Sequence, residues 1–352
     1  MASSREIGRL SAHFAESPEV FETSPLYRAL CPVVAEEPEI LDLLVHRRQG
    51  QQPSYLLFGA VHYLLLSGVP HPLRRFYPSL MGASAADPAD AGPALLDFCR
   101  RYQDPVTEVI RTRLVQTNVV RRVVGLRYAL WVVGQHCPGP VHLVEVGASA
   151  GIHLHVDRYR YAIGEHRFGP ADAPLTVDSR WRGDSPPPDL DEVPRIASRT
   201  GVDLHPVDVT DVRDRRWLRA LVWPEDRDAA TLLEAALDSV AADPPTVIAG
   251  DAVDVCPRLG RSLPAGEPRV VFHAATRMHV PAVRRAAFDR AIDSIGDDGP
   301  LYHVWQEPPS APHHGLVVAR EELAFHGPEL EVAVPLLRAD GHLRWLAPPL
   351  PR

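Results

Sequence analysis

Residues 141–156 read VHLVEVGASAGIHLHV. The β-branched, apolar run Val141–Val146 reads as a buried strand, and it ends abruptly in Gly147. The turn that follows has two incompatible readings. Taken as GASAG, residues 147–151 fit the G-x-S-x-G elbow that presents a hydrolase's serine, here Ser149. Taken as EVGASAG, residues 145–151 form a glycine turn that brings a ligand against the N-terminus of the next element.

The neighbouring segments separate the two readings. Upstream, the first 135 or so residues carry apolar positions at helical spacing, as in PEILDLLVHR, SYLLFGAVHYLLLSG and ALLDFCRRY. The stretch VTEVIRTRLVQTNVVRRVVGLRYALWVVGQH, residues 106–136, reads as one long helix. Pro- and Gly-rich clusters such as GVPHPLRRFYP separate these segments. Downstream of HCPGP, residues 136–140, β-rich runs alternate with helical ones. IHLHVDRYRYAI reads as the helix after the first strand, and TGVDLHPVDV, TVIAGDA, RVVFHAAT and LYHVWQE as further strands. LEVAVPLL and HLRWLAP, joined by RADG, read as a closing hairpin. Strands alternating with helices predict a mostly parallel sheet covered on both faces, with an antiparallel edge. Residues 162–200 are rich in Pro, Gly and Asp and read as an insertion, a short hairpin plus a loop. The expected division is therefore a helical region over 1–135 and an α/β domain over 136–352.

In this order the hydrolase reading lacks its companions. The elbow follows the first strand rather than a later one, and no earlier strand carries an HGG-type oxyanion loop. Composition removes other classes. All 37 basic residues are arginine, so neither an internal Schiff base nor a Walker A lysine is available. The formal charge of −8 gives no electrostatic support to a nucleic-acid partner. The four cysteines form no C-x-x-C pair. His153 and His155 lie two apart, so they do not make a helical metal pair, and no metal site is expected. MASSREIGRL is no signal peptide, and the longest apolar patch is too short to span a bilayer comfortably. The chain reads as soluble and cytoplasmic, acting on a small molecule, with homo- or hetero-oligomeric assembly left open.

Ligands of a parallel sheet bind outside the carboxyl ends of its strands. Those ends deliver Glu145, Gly147, Ser149 and Gly151; then Asp203; then Asp251; then His273; then Gln306 and Glu307. The series resembles the class I S-adenosylmethionine-dependent methyltransferase fold, a Rossmann-like sheet with a C-terminal antiparallel hairpin. The resemblance implies S-adenosylmethionine as cofactor. It places Glu145, Gly147, Ser149 and Gly151 beside the methionine part, Asp203 on the ribose and Asp251 at the adenine. Two departures stand in the sequence: Ser149 takes the middle of three usual glycines, and the insertion lengthens the interval from Gly151 to Asp203. From about residue 24 to 280 the chain also resembles a bacterial family defined as domain of unknown function 2332. The segments SPLYRAL, HPLRRFYPS, RLVQTNVVRR, EVGASAGIHLHVDRYRY, GDAVDVCPRL and VVFHAAT carry that likeness. Membership implies a methyltransferase-like domain behind a helical region and leaves the reaction open.

Methyl transfer is an in-line displacement that needs positioning and, for a protonated nucleophile, a base. His273 is the expected base, with Glu307 as base or substrate anchor. Asn118 and Arg121, three apart on the predicted helix, share a face that can hold a carboxylate. Tyr159, in DRYRY, is a candidate to lean over the substrate. Two alternatives stay open. One is a displacement without methylation, such as an intramolecular ring closure of the aziridine-forming kind; the other is a non-catalytic partner subunit.

Overall fold

The computed structural model describes residues 4–137, 139–307, 320–330 and 333–349. The chain divides into two compact units, one of residues 1–117 and 210–234, the other of 118–209 and 235–352.

The first unit is helical: α1 (Ser4–Glu16), α2 (Pro25–Ala35), α3 (Pro38–Leu43), α4 (Pro53–Leu66), α5 (Pro78–Met81), α6 (Gly92–Arg101) and α7 (Gln103–Thr112). In the second unit α8 (Arg122–His136) precedes the sheet, and α9 (Val212–Ala220) returns to the first. α4 is apolar around its whole circumference, so it must be buried on every side. Its Gly59 lets α9 approach: a Cβ there would lie 3.0 Å from Leu221 and 3.1 Å from Trp217. That contact explains why residues 210–234 belong to the helical unit although the chain reaches them after the first strands.

The second unit is built on one sheet with strands β1 (Val141–Val146), β2 (Arg160–Ile163), β3 (His166–Phe168), β4 (Thr176–Trp181), β5 (Ile196–Asp203), β6 (Thr246–Ala249), β7 (Arg269–Ala274), β8 (Leu301–Glu307), β9 (Arg320–His326), β10 (Val334–Asp340) and β11 (Trp345–Ala347). Their order is β3-β2-β4-β11-β10-β9-β8-β7-β1-β5-β6. β6, β5, β1, β7 and β8 are mutually parallel neighbours. The chain runs outward from β1 to β5 and β6, then returns to β7 and β8 on the other side of β1. The topological switch therefore lies between the carboxyl ends of β1 and β7, where open parallel sheets bind ligands. Val144, Val146, Val202 and Val271 pack on one face against α11 (Ala252–Ser262) and α12 (Ala282–Asp293). α10 (Arg227–Ala242) precedes β6.

Several expectations need correction. The boundary at 135 moves to 117, because α8 sits on the sheet: a Cβ on its Gly125 would touch Gln306 at 2.9 Å. The single helix over 106–136 is two, α7 and α8, and Asn118 lies in the non-helical segment between them. IHLHVDRYRYAI is not a helix. Ile152–His155 is one 3₁₀ turn, and Tyr159, Tyr161 and Ile163 alternate inward into β2. The insertion is more than a hairpin and loop: β2 and β3 pair antiparallel, and β4 joins them to β11. The closing hairpin is present as β10 and β11, although residues 331–332 of LEVAVPLL fall outside the described residues. β9, antiparallel between β8 and β10, was not anticipated.

Candidate functional site

At the switch point the turn after β1 is held on all sides. Gly147 has φ +82° and Gly151 φ +73°, a region L-residues rarely adopt. A Cβ on Gly147 would lie 2.2 Å from Thr276 Oγ1, and one on Gly151 would lie 2.9 Å from Pro245. Close packing and the turn itself thus demand both glycines. Gly147→Ala is expected to lower stability by about 1–3 kcal/mol through overpacking and strain. A melting temperature equal to that of the wild type would contradict the assignment.

Ser149 adopts φ +48°, a strained conformation for a non-glycine residue. Its amide donates to Asp203 Oδ2 at 2.8 Å, its carbonyl accepts from Val207 N at 3.1 Å, and its hydroxyl accepts from Asn118 Nδ2 at 3.0 Å. Since the hydroxyl accepts from Asn118, its own proton is available to a ligand acceptor. Asp203 Oδ1 accepts from His205 N at 2.8 Å, so both carboxylate oxygens brace the loops. Asp251 caps α11 through Val253 N at 2.9 Å and pairs with Arg284 at 2.8 Å. Gly250 N donates to Asp203 O at 2.8 Å, which brings the ends of β5 and β6 together.

Two carboxyl–imidazole pairs flank the switch point, one on each face of the sheet. On one face Glu145, 2% exposed, lies 2.7 Å from His153 Nδ1 through Oε1. His153 Nε2 stands 3.1 Å from Val119 O, and a carbonyl only accepts, so Nε2 carries a proton. The short Nδ1–Oε1 contact then holds one further proton, because two lone pairs would repel at that distance. Burial raises the Glu145 carboxyl above its ordinary range, partly offset by His153 and reinforced by Asp203. Glu145 Oε2 is buried and has no hydrogen-bond partner among the described residues.

On the other face His273, 1% exposed, meets Glu307 Oε1 at 2.7 Å through Nδ1. Glu307 Oε1 also accepts from Thr276 N and Arg277 N, both at 2.9 Å, and Oε2 from Met278 N at 3.3 Å. Burial alone would raise this carboxyl, but the His273 hydrogen bond, the positive charge that ring takes on when protonated and the two amides on Oε1 outweigh it and hold it below its ordinary range. Glu307 is therefore ionised and accepts the Nδ1 proton, which leaves the Nε2 lone pair of His273 as the basic one. Beside this pair, His303 Nε2 is buried without a hydrogen-bond partner among the described residues. Burial first, then the positive charge that His273 places beside it when protonated, holds that imidazole well below its ordinary range, so it is neutral. An unsatisfied buried group of this kind costs about 1–3 kcal/mol.

The expected site residues do not all meet. Glu145, Gly147, Ser149, Gly151, Asp203 and Asn118 converge around one turn, and Asp251 follows through the backbone of Gly250. His273 and Glu307 form one dyad. Arg121 turns away from Asn118 to Asp178 on β4, at 2.8 Å, because the segment before α8 is not helical. Tyr159 is fully buried and donates to Ile152 O at 2.8 Å, so it is a core residue rather than a substrate contact. The sequence reading missed His303 and the pairing role of His153. Strand alternation in LYHVWQE, which puts His303 and Trp305 on one face, was the available signal for the first.

Fold and site together define a mixed α/β protein with paired carboxyl–imidazole groups at the carboxyl edge of a mostly parallel sheet. The family model described as "Uncharacterized protein conserved in bacteria (DUF2332)" matches residues 10–347. The chain belongs to that family. No curated protein matches it. No helix among the described residues is long and apolar enough to cross a membrane.

Proposed function

We propose that the protein is a small-molecule-modifying enzyme of the methyltransferase type that uses S-adenosylmethionine at the carboxyl edge of β1, β5 and β6. One observation carries the reading: Glu145 and Asp203 lie at the carboxyl ends of β1 and β5, and Asp251 lies two residues beyond β6, on three neighbouring parallel strands beside a topological switch point. The residues fit a ligand of this class. Glu145 offers an unpartnered buried oxygen, Ser149 a hydroxyl donor, and Asp203 a carboxylate of the kind that accepts from ribose hydroxyls. Asp251 serves α11 and Arg284 first, so its share in adenine binding rests on the lone pairs that remain. When bound, the sulfonium supplies an electrophilic methyl group. The protein's own part is to position the nucleophile and take its proton. His273 is suited to that task through Nε2, with Glu307 fixing the ring.

A second reading shares the base and dispenses with the cofactor. An intramolecular ring closure also needs one proton removed from the attacking atom, and the His273–Glu307 pair supplies this equally well. Incubating the protein and a small-molecule extract with S-adenosylmethionine carrying a labelled methyl group separates the two. The methyl-transfer reading predicts a labelled product that disappears with His273→Asn. Label retained wholly in S-adenosylmethionine would sink it.

Ser149 gives a finer test. Ser149→Ala keeps the strained backbone and loses the hydroxyl; Ser149→Gly loses the hydroxyl and relieves the strain. Both are expected to weaken S-adenosylhomocysteine binding by one hydrogen bond, about 0.5–1.5 kcal/mol. The melting temperature should fall further for the alanine than for the glycine variant. Unchanged affinity in both would remove Ser149 from the site.

A further inference from the structure

Three histidines stand on one face of three adjacent strands. His273 on β7 lies opposite Trp305 on β8, and His303, two residues before Trp305, lies opposite His326 on β9. Cross-strand partners share a face, as do residues two apart, so the row runs from the buried dyad to the exposed His326. The His273 and His303 rings are 5.2 Å apart between centroids. Phe288 meets the first ring edge-on at 5.7 Å, and Trp305 lies tilted against the second at 4.8 Å. The charged groups that face the row are Glu307 at its buried end, Arg277 beside His303, and Asp293 of α12 near His326.

A base buried with His273 must pass on each proton it takes before it can act again. His303 is the side chain placed to receive it, and its packing gives no other reason for an imidazole. Its Nε2 makes no hydrogen bond among the described residues, and its neighbours are aromatic rings that a phenylalanine would satisfy. We propose that His303 and His326 are a proton exit, carrying to solvent the proton that His273 removes from the substrate. This rests on the reading of His273 as the base and holds for methyl transfer and ring closure alike.

In the reacting step the nucleophile's bond to hydrogen breaks, and its electron pair forms the new bond to carbon as the leaving group departs with its own pair. The proton goes to His273 Nε2 while Nδ1–H stays on Glu307. After the product leaves, a turn of the His303 ring brings one of its nitrogens within hydrogen-bond reach of Nε2, which hands it the proton. The other nitrogen of His303 releases its proton toward His326, and water takes it from there. A neutral imidazole accepts on one nitrogen and donates from the other, so His303 need not store the charge.

The test is the solvent-exchange rate of the His273 Nε2–H, present once the ring has taken up a proton and distinct from the Nδ1–H held by Glu307, read by NMR on the full chain labelled with 15N-histidine. His303→Phe and His326→Ala are each expected to slow that exchange several-fold, and added imidazole should restore it in the second variant, where the exposed side chain leaves room for it. Exchange as fast as wild type in folded His303→Phe overturns the proposal. If His303→Phe does not fold, unchanged exchange in His326→Ala, an exposed position, overturns it instead. The measurement needs no substrate or cofactor. A failure of S-adenosylmethionine chemistry is therefore read separately from a failure of the relay.

Discussion

Glu307→Ala is expected to destabilise the second unit by about 3–5 kcal/mol, the usual cost of leaving a buried charged network without one partner. The carboxylate collects four donors: His273 Nδ1, Thr276 N, Arg277 N and Met278 N. Its loss orphans the imidazole and frees the loop after β7, whose Thr276 packs against Gly147. Glu307→Gln should cost much less, because an amide oxygen can stand in for Oε1. Its NH₂ would then face the Met278 amide, so stability should fall between the two. Chemical denaturation of the three proteins gives the ranking. Alanine and glutamine variants of equal stability would show that Glu307 does not hold this loop. Removing the base itself, by His273→Asn, leaves the loop its carboxylate and is expected to reduce turnover about 10²–10⁴-fold.

Acid should unfold the protein well before its carboxylates are fully protonated. His62 in the first unit has Nδ1 on Ala220 O at 3.0 Å and Nε2 on Ser79 Oγ at 2.8 Å. His155 in the second has Nε2 on Asp243 O at 3.0 Å and Nδ1 on Ser239 Oγ at 3.1 Å. Burial lowers each imidazole from 6.5 to about 4. Between those values the unfolded chain binds a proton that the folded chain does not, so stability falls as pH falls through this window. Each histidine withdraws on the order of 3 kcal/mol by the lower end. Glu307 adds to the loss further down, since a carboxyl held low when folded is worth less once the unfolded chain protonates. Melting temperature followed from about pH 7 to about pH 4.5 should drop steeply in both units. A flat profile would show that these imidazoles are not buried as neutral bases.

The parallel core was readable because its strands are short apolar runs bounded by Gly, Pro and Asp, and the chemistry-bearing residues sit at their ends. What failed was local structure with two periods at once. IHLHVDRYRYAI can be scanned at helical spacing, yet Tyr159, Tyr161 and Ile163 repeat every second residue and enter the sheet. The stretch around Asn118 looked helical because its apolar residues continue the pattern of α7. Its backbone instead turns to partners such as Gln51 Oε1, which accepts from Val115 N at 2.6 Å. The strand-end acids were found one by one. Their partnerships were not, because the His273–Glu307 pair depends on the parallel register of β7 and β8, and the Glu145–His153 pair on a 3₁₀ turn folding back under β1. No spacing in the sequence encodes either.

The opening turn illustrates the same division. GASAG matches an elbow by letters, but its glycines answer to Thr276 and Pro245, and Ser149 is held by Asn118 and Asp203 rather than by a histidine. Whether that turn serves a nucleoside-bearing ligand is best decided by calorimetry with S-adenosylhomocysteine on the wild type and on Asp203→Ala. The account predicts saturable binding to the wild type and at least about tenfold weaker binding to the variant, the loss of one or two hydrogen bonds to an ionised acceptor. No binding to the wild type, or equal affinity in both proteins, would contradict it.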